Sequence, residues 1–201
     1  MRPRLCFLVL AVLSLVLTAC GGQAAADSSP SAPVPSLPPL AGQLNGDPGP
    51  PPAASVDISA PPLDLRVTKS MIYAAALDQH VNPYLAMGLG WWESGWNESA
   101  ISSAGAIGVM QIMPATAQVS GPWLLRRQVN LNDINDNIEL GCAILHNNLV
   151  AYRGDLVKAL TDYYGGPTLV ADWNHLRPDA QRYVWGIYHL AVAFQDGRGP
   201  V

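Results

Sequence analysis

The stretch ESGWNESAISSAGAIGVMQIMP, Glu93 to Pro114, decides how this chain is read. It opens on a carboxylate, runs through serine, alanine and glycine, and closes on Met110-Gln111-Ile112-Met113-Pro114. Three tryptophans, Trp91, Trp92 and Trp96, crowd the acid. Apolar, partly dry surroundings disfavour the charged form of a carboxyl and hold it protonated near neutral pH, the state a general acid needs. Just upstream, Asn82-Pro83 is the pair expected at a helix start: an Asx N-cap, then a proline whose missing N–H is not needed in the first turn. A helix from Tyr84 to Trp92 puts Glu93 at its C-terminal end, where the macrodipole also opposes negative charge. Ser103-Ala104-Gly105-Ala106 and Gly108 let backbone approach a ligand or another helix closely. From these residues alone, a general acid and a surface glutamate beside core tryptophans account for Glu93 equally well.

Outward from this stretch the pattern is helical. Thr68 to His80 has helix-forming composition with an apolar side, and Pro114 opens a short helix through Ala117. From Asn135 onward, Ile138, Cys142, Leu145, Leu149 and Tyr152 recur at alternating spacings of four and three, one stripe of a helix stopped at Gly154. Asp155 caps a helix reaching Tyr164. Pro178 to Gln195 repeats the pattern through Val184, Ile187, Ala191 and Phe194, and Gly197 ends it. No segment alternates convincingly with period two. The expected fold class is all-α, in one domain over 63–197.

The N-terminal third is different material. Arg2 and Arg4 precede an apolar run from Leu5 to Ala19, too short for a comfortable membrane span and suited to a secretory signal over 1–19. Leu17-Thr18-Ala19-Cys20 resembles the bacterial lipobox, in which the cysteine, here Cys20, is lipidated and becomes the mature N-terminus; an ordinary signal with a chance cysteine is the alternative. Stable anchoring takes more than one acyl chain, which bacterial lipoproteins carry. The expected location is extracytoplasmic, lipid-anchored to a bacterial membrane. Residues 20–62, rich in Pro, Ala, Ser and Gly, bury little apolar surface and read as a tether. Such a segment spans roughly 35 Å as a coil and roughly 130 Å as polyproline II.

Several chemistries are excluded. The net charge is −4, and removal of Arg2 and Arg4 makes it two units more acidic, so nucleic acid is a poor partner. His80, His146, His175 and His189 show no metal-ligand spacing with cysteines or carboxylates. The Asx-rich run Asn132 to Asn137 faintly suggests a calcium loop, but Ile138 stands where its turn glycine belongs and Ile144 where its terminal glutamate belongs. Helix entry explains that run better. No metal and no cofactor is expected. With Cys6 and Cys20 accounted for at the N-terminus, Cys142 is the remaining cysteine; it lies in an apolar helical stripe and reads as structural.

A resemblance decides between the two accounts of Glu93. Glu93-Ser94, Asn97, Ala100-x-Ser102, Gly105-Ala106-x-Gly108-x-Met110-Gln111-x-Met113-Pro114 and Thr116-Ala117 resemble the signature of the lytic transglycosylases of the soluble (SLT) type. Asn137-Ile138-x-x-Gly141 resembles that family's helix entry, with a glycine where helices pack closely. Asp162-Tyr163-Tyr164-Gly165-Gly166-Pro167 resembles its Ala-Tyr-Asn-Ala-Gly-Pro element, and Gln181-Arg182-Tyr183-Val184 its closing helix. The resemblance implies a lysozyme-like, mostly helical fold and cleavage of peptidoglycan glycan strands between N-acetylmuramic acid and N-acetylglucosamine. It makes Glu93 the single catalytic acid, with Ser102 and Gln111 hydrogen-bonding in the substrate cleft, Met113 lining it and Tyr163 close to the acid. A two-carboxylate glycosidase needs a second acid; Glu98, the nearest, reads as solvated. Tyr164 departs from the family's asparagine and Gly165 from its alanine, which touches glycan specificity more than the reaction. Two rivals stay open: a goose-type-lysozyme-like hydrolase of the same bond, for which Asp162 is the candidate aspartate, and an inactive glycan-binding lipoprotein.

Overall fold

The computed structural model describes residues 64–200, and the structural statements below concern those residues. The signal segment 1–19, Cys20 and the tether 20–62 lie outside them. The class is all-α as expected: six α-helices, with extended pairing limited, among the described residues, to isolated bridges of Ile107 with Ile101 and Ile112.

Side-chain caps set most helix starts. Helix α1 (Leu65–Asp78) begins three residues before the stretch expected from composition, because Asp64 accepts the Arg66 N–H at 2.9 Å. It stops short of His80, whose φ of 56° is left-handed. Helix α2 (Pro83–Ser94) starts where expected, with Asn82 Oδ1 accepting the Leu85 N–H at 3.0 Å, and ends at Gly95 with φ 63°. Helix α3 (Pro114–Ser120) runs beyond the expected Ala117 and continues into a π-helical turn, Gly121–Leu125. Pro122 has no N–H for the acceptor four residues back, so the ladder widens there. Helices α4 (Ile134–Ala151) and α5 (Leu156–Gly165) are capped by Asp133 and Asp155. Two 3-10 turns, Pro167–Leu169 and Trp173–His175, lead into α6 (Pro178–Gln195).

The core is built around the pairing of α2 with α6. A side chain at Gly88 would place its first carbon 2.7 Å from the Ile187 carbonyl oxygen, so the two backbones touch there. One turn along the seam, Gly186 seats the Trp92 ring, which lies 1.9 Å from where that carbon would stand. Buried Ile72, Leu85, Leu89, Leu140, Leu145 and Leu160 join α1, α4 and α5 to this pair. Overfilling such a seat costs about 2 kcal/mol. Gly186→Ala is therefore expected to lower stability by that amount in urea denaturation, and an unchanged midpoint would contradict the packing described.

Two expectations about α4 change or sharpen. Gly141 does not mark a helix–helix contact: it makes room for the Met110 side chain, which comes from the irregular segment after α2 and lies 2.6 Å from the position of a Cβ. Cys142 is fully buried, and burial pushes its thiol up to about 12, so it stays an inert core residue.

The segment 95–113 has no helix of its own and is held by buried side chains. Ser94 Oγ donates to the Val109 carbonyl at 2.8 Å and accepts the Asn97 N–H at 3.1 Å, which gives the residue beside Glu93 a structural task. Asn137, 1% exposed, accepts the Met110 N–H at 2.9 Å and donates to the Ile107 and Leu131 carbonyls at 2.8 and 3.2 Å. The Asx-rich run is thereby explained: Asp133 caps α4, Asp136 pairs with Arg127 at 2.6 Å, and Asn137 staples the segment to α4.

Candidate active site

A cleft of about 780 Å³ contains all five residues singled out in the folded domain: Glu93, Ser102, Gln111, Met113 and Tyr163. Glu93 reaches it from the last turn of α2; the segment 102–124, residues of α4 and α5, and Gly166 and Pro167 just after α5 supply the rest of the lining.

The carboxyl of Glu93 is the site's electrostatic centre. Burial pushes it up to about 7, against the opposing effect of a hydrogen bond from the Tyr183 hydroxyl to Glu93 Oε1 at 2.5 Å. The direction agrees with the sequence, and burial is its largest cause. Trp91 and Trp96 pack edge-on to each other, and Trp96 stacks on Phe194. Trp92 meets Tyr183, the acid's hydrogen-bond partner, edge-on at 6.3 Å. Tyr163 and Tyr183 are held well above the ordinary phenol range by burial first and by the Glu93 carboxylate second, so both remain donors.

Tyr183 stands in the sequence only as part of the closing-helix match, with no role at the acid assigned to it. It lies one turn before Ile187 on the buried stripe of α6, and a phenol on such a stripe needs a partner for its hydroxyl. That need was the available signal; which group meets it is a matter of tertiary packing. Because the Tyr183 hydrogen bond favours the charged form, Tyr183→Phe is expected to raise the Glu93 pKa further. NMR titration of the Glu93 carboxyl checks this, and a midpoint below that of the native chain would contradict it.

The other residues hold the cleft's shape while facing it. Ser102 Oγ accepts the Ala106 N–H at 3.0 Å, tying the turn that carries it. Gln111, with φ 45°, donates from Nε2 to the Ala100 and Gly108 carbonyls at 3.1 and 2.9 Å. Both amide protons are thus spent, and its oxygen is left as acceptor toward the cleft. Met113 is 39% exposed and precedes α3, a cleft residue rather than core. The Tyr163 hydroxyl donates to the Met110 carbonyl at 2.9 Å, fastening α5 to the segment after α2.

Two acids and two aromatics complete the picture. Asp162 lines the cleft and accepts a hydrogen bond from the Tyr152 hydroxyl at 2.9 Å. Glu98 is half-buried, not free in solvent, and is not part of the cleft lining. Tyr164 also lines the cleft; its ring packs on Tyr183 at 4.7 Å and its hydroxyl donates to Asp179 at 3.1 Å. Trp123, on the π-helical turn, lines the cleft as well and was not anticipated.

The model of the Transglycosylase SLT domain family matches residues 70–185, from within α1 to within α6. The chain belongs to this family. Its SLT domain therefore contains every cleft residue described above and Tyr183. A transglycosylase of Enterobacteria phage PRD1 is 40% identical over 103 residues, covering 51% of this chain and 36% of the phage protein. A Haemophilus influenzae protein whose name assigns it as a soluble lytic murein transglycosylase is 30% identical over 133 residues, covering 64% of this chain and 22% of that protein. The chain thus spans well under half the length of either relative. The lytic transglycosylase Slt of Pseudomonas aeruginosa, solved as an inactive Glu-to-Gln mutant, matches with a TM-score of 0.57 at 22% identity, over 66% of this chain and 25% of that one. At that identity the likeness concerns the fold: the helical, lysozyme-like SLT fold.

Proposed function

We propose that this SLT domain is a peptidoglycan lytic transglycosylase. It cleaves the bond between N-acetylmuramic acid and N-acetylglucosamine and leaves 1,6-anhydromuramoyl ends. The observation that carries the reading is Glu93, a cleft carboxyl pushed up to about 7 and gripped by Tyr183. Near neutral pH such a group both gives and takes a proton. Glu93 protonates the oxygen leaving with N-acetylglucosamine as its bond to C1 of muramic acid breaks. The resulting carboxylate takes the proton of the muramic C6 hydroxyl as that oxygen bonds to C1. The nucleophile belongs to the sugar itself, so closure benefits from high effective molarity and needs no second carboxylate. Gln111 presents an acceptor to the glycan, and Ser102, Met113 and Tyr163 shape the cleft around it. The names of the relatives, transglycosylase and lytic murein transglycosylase, support the same class.

The second reading is the hydrolase, with water as nucleophile; the presence of Asp162 in the cleft favours it as an alternative. Mass analysis of released muropeptides separates the two. Transglycosylation yields fragments lighter by one water, without a free reducing group and resistant to borohydride. Reducible ends would assign the hydrolase, and no digestion by the purified domain would assign the inactive binder.

The place of action follows from the same proposal: outside the cytoplasm, on the cell wall, tethered to a membrane by lipidated Cys20 through residues 20–62. Among the described residues no helix is long and apolar enough to cross a membrane. Cys20→Ala is expected to release the chain from membranes while leaving turnover by the domain unchanged. Persistence of that variant in the membrane fraction of a detergent-free lysate would remove the anchor.

A further inference from the structure

We infer that Trp123 is a stacking platform for a sugar ring, forming a glycan subsite in the cleft beside Glu93. The inference rests on the proposed action on peptidoglycan and adds to it a residue outside the motifs that carry the family resemblance.

The exposure of Trp123 sets it apart. The chain has six tryptophans; five are buried or half-buried, and Trp123 is 58% exposed on the cleft wall. Among the described residues no ring packs on its indole and no hydrogen bond takes its Nε1 proton. An indole left in water forgoes a large burial free energy, and its N–H usually finds a partner when the ring is covered. The backbone holds it there: Pro122 forces the π-helical turn Gly121–Leu125 that carries it, a distortion found frequently at functional sites.

The surroundings match a carbohydrate. Met113 and Leu124 add apolar surface to the same cleft, and Gln111, Asn147 and Asp162 supply polar groups there. An N-acetylhexosamine has the same division, with C–H groups on its ring faces and hydroxyls and an acetamide at its edge. The ring face covers the indole, and Nε1–H is free to donate to an acetamide or hydroxyl oxygen. The cleft, about 780 Å³, is within the ~300–1,000 Å³ of sites that enclose a drug-sized ligand, which suits a disaccharide unit. Tyr164, the other exposed aromatic of the cleft, is already committed: its ring packs on Tyr183 and its hydroxyl on Asp179. Trp123 is the uncommitted one.

The test uses the full chain and peptide-free glycan strands purified from peptidoglycan. In the Glu93→Gln background, strands are expected to protect tryptophan fluorescence from acrylamide quenching, because the indole most open to quencher is the one covered. Adding Trp123→Ala should abolish the protection and weaken strand binding about tenfold, whereas Trp123→Phe should keep binding within about threefold. In the active chain, Trp123→Ala should raise KM by a similar factor with kcat and the thermal midpoint little changed, since the side chain is exposed. Equal strand affinity with and without Trp123 overturns the inference, as does failure of Glu93→Gln protein to bind strands at all. Strands bound through Trp123 but never cut by the native chain would leave the platform standing and sink the proposed reaction instead.

Discussion

Glu93→Gln is expected to abolish turnover of peptidoglycan, with a loss of about a thousandfold or more, while leaving the fold and strand binding intact. The amide keeps the shape of the carboxyl and accepts the Tyr183 hydrogen bond, but it neither donates the proton to the leaving oxygen nor removes the one from the C6 hydroxyl. Both halves of the proposed reaction fail together. Residual turnover within tenfold of the native chain would remove Glu93 from the chemistry. It would sink the hydrolase reading with it, because both assign the proton transfer to this group.

The same substitution has a stability signature of definite sign. The folded-state carboxyl titrates near 7, above its ordinary 4.5, so the fold favours the neutral form. Below 4.5 the group is neutral whether the chain is folded or not, and it carries no penalty. Between 4.5 and 7 the unfolded chain releases a proton that the folded one retains, and stability falls as pH rises. Above 7 the penalty is full, about 3 kcal/mol for a displacement of this size. Glu93→Gln removes it. The variant should match the native chain near pH 4 and exceed it in thermal midpoint at pH 8. A gap that does not widen from pH 4 to pH 8 would contradict the burial described for Glu93. An acid poised for catalysis is here a source of instability at the pH where it works.

Asn137→Ala is expected to destabilise the fold by about 4 kcal/mol. The substitution removes three hydrogen bonds and leaves the Met110 N–H and the Ile107 and Leu131 carbonyls without their buried partner. Each stranded group carries a desolvation penalty, and against a typical total stability of about 5–15 kcal/mol the sum is large. The segment freed by the loss carries Ser102, Gln111 and Met113, so cleft geometry should loosen as well. Urea denaturation at a fixed pH measures the effect. A change under about 1 kcal/mol would show that the segment holds itself and that Asn137 is a bystander.

What was legible in the sequence is local. Asn82-Pro83, Asp155 and Pro178 announce their helices, because a cap or a proline acts within one turn of itself. The stripes of α4 and α6 follow from the 3.6-residue period, which needs no knowledge of the partner surface. The ordered motif from Glu93 to Ala117 carries the family resemblance, and its Glu93, Ser102, Gln111 and Met113 line one cleft. Other features depend on groups far apart in the chain. Tyr183 stands 90 residues from the carboxyl it holds, and Asn137 stands 27 and 30 residues from two of its partners. Gly141 faces a methionine from an irregular segment where a helix was expected. The burial that sets the Glu93 pKa, and the Tyr183 hydroxyl that opposes it, depend on segments far from Glu93 in the chain. Helix starts and faces were set by the sequence itself, since short-range geometry governs them. The protonation of the acid and the seating of the turn beside it were decided by tertiary packing, because desolvation and buried hydrogen bonds exist only once distant segments meet.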